Sequence, residues 1–274
     1  MKTFCFTIDD NIRFLKEIAG KRPGSMFDHP YLAMLKRLHQ KFDLKVQMNI
    51  FYRMDGFELS QMCDDYRKEW KENSDWLKMS FHSDVENVLP YKDSGYDEVF
   101  SHCKAVNDEI FRFSCKESLA KTTTVHYCQT THEGVKALWD NGLRGLLGLF
   151  GSKENPGTSY SLDKTSADNC RDGKTVLLDG ISYASIDMVI NGCALSEIVP
   201  ELTKLLSRDS LRVMIHEQYF YEDYRFYQPD FEEKLITVFQ FLCDNGYYTI
   251  MVFAVFLHTI SRASSKQESP YVLV

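Results

Sequence analysis

This 274-residue chain contains no Cys-x-x-Cys pair, no run of lysine or arginine, and no apolar stretch long enough to span a membrane. Its eight cysteines (Cys5, Cys63, Cys103, Cys115, Cys128, Cys170, Cys193 and Cys243) are scattered, several inside apolar runs. That pattern reads as reduced, mostly buried thiols and not as a disulfide framework. Basic residues number 32 against 39 acidic ones, a net charge of −7, and no basic stripe is present to neutralise a phosphate backbone. No nucleic-acid partner is expected. The most apolar run, Tyr247 to Leu257, is much shorter than the roughly 20 residues of a membrane-spanning helix and reads as a buried strand, so no membrane partner is expected. Residues 3–8 alternate as a strand and pass straight into Asp9-Asp10 without the apolar stretch of a secretory leader, from which a cytoplasmic location is expected. The 44% of hydrophobic and 26% of charged residues are ordinary globular proportions and exclude disorder as the dominant state.

What is present is a rhythm of strands and helices. Strand-like runs occur at Thr3–Ile8, Lys45–Tyr52, Leu77–Phe81, Thr122–Tyr127, Leu143–Phe150, Val176–Ile190 in pieces, Leu211–Ile215 and Tyr247–Phe256. Helical spacing links Leu59, Met62, Tyr66 and Trp70, and again Tyr96, Val99, Cys103, Val106 and Ile110. Asp230 with Glu233 resembles a capping box ahead of Leu235, Val238, Phe239 and Leu242, with Gly246 as the stop. Ser196 is placed to cap a helix carrying Ile198 to Leu205, and Thr131 one carrying Val135, Leu138 and Trp139. Alternation of this kind predicts an α/β fold with about seven parallel strands, closed into a (β/α) barrel or opened as a doubly wound sheet. One domain over 1–274 is expected, with a polar excursion at about 151–174. Gly142, Gly145, Gly148 and Gly151 spell no phosphate-binding loop and read as close strand packing.

Chemistry gathers where predicted strands end. Asp9-Asp10 offers two adjacent carboxylates, one able to bind a cation while the other takes a proton; a capped helix turn would use the same residues. His82 and Glu86 stand four residues apart, so a helical turn or tight loop brings both to one divalent ion, although such pairs are commonly mere surface bonds. His216 ends an apolar strand and suits proton donation to a leaving group, against the simpler reading of a buried, carbonyl-bonded histidine. His126, after Thr122 to Val125, is a fourth such placement.

Phe6-Thr7-Ile8-Asp9-Asp10 resembles the T-F-D-D motif of the polysaccharide deacetylases, His82-Ser83-Asp84-Val85-Glu86 resembles their H-[ST]-x-x-H with glutamate as the last member, and Ile215-His216 is similar to their late L-x-H. The resemblance covers the layout of most of the chain, but the motifs occupy only about a dozen residues. It implies a distorted barrel of about seven strands. It further implies Asp9 as general base, His216 as general acid, and Asp10, His82 and Glu86 as ligands of a divalent ion. Zinc is favoured over other first-row ions, although glutamate in place of imidazole moves the site toward a harder ion. The family's R-x-P-[YF] motif, whose arginine orients the base, has no match; His126 and Tyr127 occupy its place. His126, Tyr127, Glu217, Gln218, Tyr219 and Tyr221 are expected to line a substrate rim.

The resulting expectation is a metal-dependent hydrolase of the N-acetyl group of a sugar or related amide. A hydrolase of a non-sugar C–N bond and a catalytically inactive carbohydrate-binding or scaffold barrel are the alternatives. Homo-oligomerisation leaves no readable mark.

Overall fold

Phe4, Cys5, Phe6 and Ile8 build the central strand, β1 (Lys2–Asn11), which is buried from Phe4 to its end because a parallel strand lies on each side of it. The computed structural model describes residues 2–86, 91–152, 157, 159–256 and 272–273. After β1 come α1 (Arg13–Lys21), α2 (Pro30–Phe42), β2 (Val46–Met54), β3 (Phe57–Glu58), α3 (Arg67–Glu72), β4 (Leu77–Val85), α4 (Tyr96–Phe113), β5 (Thr122–Thr123), α5 (His132–Asp140) and β6 (Gly145–Gly148). The chain continues through α6 (Lys164–Arg171), β7 (Val176–Leu178), β8 (Ile181–Ser185), β9 (Met188–Val189), α7 (Ile198–Leu205), β10 (Ser210–His216), α8 (Phe231–Asp244), β11 (Tyr247–Thr249) and β12 (Val272–Leu273).

The strands form a seven-stranded and a five-stranded sheet. In the first, β1 pairs in parallel with β2, β10 and β11, and β2 with β4; in the second, β5, β6 and β8 are parallel. The sheets meet at two seams. One is a single parallel bridge between Met79 and Leu119. At the other, the chain leaves β8 for β9, with Ile186 N donating to Gly148 O on one sheet at 2.8 Å and Asp187 N to Arg212 O on the other at 2.8 Å. The α/β class expected from the sequence is therefore present. The parallel strands follow the order β10, β1, β2, β4, β5, β6, β8, and their ladder is broken into two arcs instead of running as a continuous barrel.

Packing explains several local outcomes. Thr131 caps α5 as expected, its Oγ1 accepting from Gly134 N at 3.0 Å. Gly145 is the close approach predicted for the glycine series, since a Cβ there would lie 2.5 Å from Phe256 and 2.9 Å from Thr122. Other expectations are corrected. Leu59, Met62, Tyr66 and Trp70 are all buried, but no single helix carries them: Leu59 lies in a 3-10 turn (Leu59–Gln61) that Met62 follows, and Trp70 in the short α3 that Tyr66 precedes. Ser196 does not cap α7; it sits in a 3-10 turn closed by Glu197 Oε2 accepting from Ala194 N at 3.0 Å. Asp230 precedes α8 without a side-chain cap bond. The strand expected over Tyr247–Phe256 stops at Thr249, and 252–256 is helical, turning Val252 and Phe256 inward; Leu257 lies outside the described residues. All eight cysteines are free. Among the described residues, no helix is long and apolar enough to cross a membrane.

Candidate metal centre

Parallel strands present their C-terminal ends on one side, and there the chain collects Asp9 and Asp10 from β1, His82 from β4, His126 beyond β5 and His216 from β10. In a regular strand Asp9 and Asp10 would point to opposite faces. The register of β1 on β2 shifts between Ile8 and Asn11, and Asp10 adopts φ 60°, so both carboxylates are buried and line one cleft of about 330 Å³. β4 shifts against β2 as well: Ile50 pairs with Phe81 and Phe51 with Ser83, which leaves His82 as the extra residue of a bulge. Beyond His126, Tyr127 and Cys128 are left-handed at φ 58° and 54°. Each such non-glycine residue costs on the order of 1–3 kcal/mol and persists only where its surroundings impose it.

These distortions converge three donor atoms. Asp10 Oδ1 lies 3.0 Å from His82 Nε2 and 3.2 Å from His126 Nδ1, and the two nitrogens are 3.1 Å apart. Ligands bound at 2.0–2.1 Å to one tetrahedral ion stand roughly 3.3–3.4 Å from each other, so this triangle approximates one face of such a tetrahedron. His82 Nδ1–H donates to the Thr124 carbonyl at 2.5 Å, which leaves the Nε2 lone pair for the shared point. Asp10, His82 and His126 are the group able to hold a metal among the described residues. Glu86, the third ligand expected from the sequence, lies outside it; the structure brings His126 to that place. Glu86 lines the same cleft and meets Asp10 through Gln218, whose Nε2 donates to Asp10 Oδ2 at 2.8 Å and to Glu86 Oε1 at 3.4 Å.

Two neutral amides hold the remaining groups. Asn49 Nδ2 donates to Asp9 Oδ1 at 2.6 Å. Asn49 is itself fixed by Gln47 Nε2 at 2.9 Å, and Gln47 by Thr122 Oγ1 at 2.6 Å, all fully or nearly fully buried. His216, opposite Asp9 in the β1–β10 register, has its Nδ1 2.9 Å from Asn191 Oδ1. Neither asparagine stood out in the sequence, because an amide carries no motif and only β2 and the 3-10 turn after β9 (Ile190–Gly192) place the two.

The buried charges shift one another. Burial raises the Asp9 carboxyl above its ordinary range, with nearby His82 and His216 acting against the rise. Burial opposes ionisation of Asp10 too, but hydrogen bonds from His126 and His82 outweigh it and hold Asp10 well below the usual carboxylate range. Burial disfavours charge on His82, yet Asp9 and Asp10 together raise it; at His126 burial wins and the imidazole is lowered.

Of the expected substrate rim, Tyr127 lines the cleft with 54% exposure, and His126 is drawn into the donor triangle. Glu217 is corrected: it is fully buried and accepts the Ile12, Arg13 and Phe14 amides at 2.7, 3.0 and 2.8 Å, with Tyr221 donating its hydroxyl at 2.9 Å. Tyr219 is corrected as well, since it packs edge-on against Tyr224 and outside the cleft lining. Gln218 lines the cleft as expected, and Tyr224 and Arg225 line it too.

No family model matches the sequence, and no curated protein matches it significantly. Solved structures do match in fold. A family 4 acetyl xylan esterase from Clostridium thermocellum, solved with a cobalt ion, has 12% identity and a TM-score of 0.52 over 93% of this chain and 90% of that one. A candidate polysaccharide deacetylase from Mycobacterium smegmatis has 9% identity and a TM-score of 0.58 over 100% of this chain and 94% of that one. A 4-alpha-glucanotransferase from Thermococcus litoralis has 14% identity and a TM-score of 0.59, and the match covers 92% of this chain but only 40% of that one. The protein is thus an α/β chain with a deacetylase-like fold, in agreement with the resemblance of its motifs. A glucanotransferase on a similar fold shows that architecture alone does not fix the chemistry, which must be argued from the site.

Proposed function

We propose that this protein is a metal-dependent hydrolase that removes the N-acetyl group of a sugar or related small amide, with Asp10, His82 and His126 as ligands. The observation that carries the reading is the donor triangle of 3.0–3.2 Å. Two imidazoles and one carboxylate suit zinc or another first-row divalent ion with positions left open. When bound, such an ion supplies Lewis acidity, polarising an acyl oxygen and making water acidic near neutral pH. Asp9, one oxygen tied to Asn49 and its proton affinity raised by burial, takes the proton of the attacking water. His216, its Nδ1 tied to Asn191, keeps Nε2 for the departing amine. Gln218 steadies the second oxygen of Asp10, and Tyr127, Tyr224 and Arg225 meet the substrate at the mouth. The cleft is near the lower end of the roughly 300–1,000 Å³ of small-ligand sites, which favours one sugar residue bound at a time. Glycosyl transfer between two carboxylates gives three converging metal donors no role, so amide hydrolysis is the better account.

The test is metal content by element-resolved mass spectrometry after mild dialysis, for wild type and for Asp10→Ala, His82→Ala, His126→Ala and Glu86→Ala. Near-stoichiometric metal, lost in the first three variants and kept in Glu86→Ala, is expected, followed by acetate release from N-acetylated saccharides. Absence of metal even when it is supplied in excess would overturn the reading and favour an inactive carbohydrate-binding or scaffold barrel.

A further inference from the structure

A second, larger cleft of about 690 Å³ lies between α5 and the β7–β8 hairpin and shares no residue with the metal centre. Its floor is apolar, with Val135, Leu162 and Tyr183 buried. Trp139 forms a wall and keeps 40% exposure even though the Arg144 guanidinium lies 4.5 Å from its ring centre. Gly180 admits the indole: a Cβ there would stand 3.0 Å from Trp139 Nε1.

Acidic groups outnumber basic ones, with Asp140, Asp163 and Asp179 against Lys136 in the lining and Arg144 against the Trp139 wall. Asp140 is already satisfied by Lys136 at 3.1 Å and by the Tyr96 hydroxyl at 2.8 Å, and Asp163 caps α6 by accepting from Ser166 N at 3.0 Å. Asp179 has no hydrogen bond or ion pair to any described residue. Ser161 and Asp179, from two different connections lining the cleft, are both held left-handed, at φ 55° and 48°.

We infer that this cleft binds a saccharide bearing a free ammonium group, with the ammonium on Asp179 and the C–H face of the sugar ring against Trp139. Three features select that class. Surplus negative charge rejects anions. An apolar ligand would desolvate the Asp179 carboxylate without pairing it, at a cost that an ammonium removes. An exposed indole beside carboxylates suits a ring with one apolar face and a hydroxyl edge, and its π-face also favours a nearby cation. The amine part rests on the cleft alone. The saccharide part rests on the proposed function, because deacetylating an N-acetyl sugar yields an amino sugar.

Isothermal titration calorimetry on the full chain separates the parts, using a glucosamine trisaccharide, its fully N-acetylated counterpart and spermidine. The glucosamine trimer is expected to bind wild type and Asp10→Ala alike and to weaken about tenfold or more in Trp139→Ala and in Asp179→Asn, the latter chosen because asparagine tolerates the left-handed backbone. The N-acetylated trimer, a substrate of the metal centre under the proposed function, is titrated into Asp10→Ala with and without Trp139→Ala, and the part of its binding that is lost with Trp139 should be at least about tenfold weaker than that of the glucosamine trimer. Metal content of Trp139→Ala and Asp179→Asn should equal that of wild type. Absence of trimer binding, equal Trp139-dependent binding of the N-acetylated trimer, or binding untouched by both cleft variants overturns the proposal. Spermidine binding without trimer binding overturns the saccharide part and, with normal metal content, does so without touching the metal centre.

Discussion

Asn49 is an uncharged side chain that donates a 2.6 Å bond to the buried Asp9 and is fixed from behind by Gln47 and Thr122. Orientation of a base by such a partner is commonly worth 10- to 100-fold, so Asn49→Leu should lower kcat by roughly that factor with KM and metal content unchanged. A parallel fall in metal content would make the residue structural instead. At this scale the sequence was informative about reactive types and silent about partners. Asp9, Asp10, His82 and His216 were legible because ionisable groups at the ends of apolar strands are conspicuous. His126 was visible but misplaced: Glu86 lies four residues from His82, and that spacing suggested a shared ion, whereas the β4 bulge aims His82 toward a residue 44 positions away.

Helix α1 starts without a cap of its own, with Ile12 at its N-cap and no acidic residue in its first turn. Glu217 performs that task from the far end of the chain, accepting from the Ile12, Arg13 and Phe14 amides at the start of the helix. Glu217→Ala strands these donors in the interior and should cost roughly 2–4 kcal/mol in urea unfolding. Tyr221→Phe removes one donor of the same cluster and should cost about 0.5–1.5 kcal/mol. On β6, Gly145→Ala should cost about 1–3 kcal/mol, since its Cβ would press on Phe256 and Thr122 in a closed core. Helices with a clear apolar face, such as α4 and α8, were legible from spacing; α3 was not, because the buried Leu59, Met62, Tyr66 and Trp70 reach one core from separate short turns.

For the molecule as a whole, a metal bound only by the folded state must stabilise it. At 100 times its Kd the gain is about 2.7 kcal/mol, so zinc addition should raise Tm by several degrees and a chelator should reverse the rise. Protons compete for the same donors. His82 is held above its ordinary range by Asp9 and Asp10 despite burial, so metal affinity is full above that raised value and is lost as pH falls through it. The metal-induced rise in Tm should therefore shrink as pH drops from about 8 to about 5.5, measured by scanning calorimetry.

The sequence by itself determined the α/β class and the strand-end placement of the acidic and imidazole groups, because period and composition act locally along the chain. Only the tertiary structure decided which groups meet. Parallel strands distant in sequence are brought into register by their shared core, and two bulges then rotate Asp10 and His82 toward His126. That rotation is a property of strand pairing, which no single segment encodes.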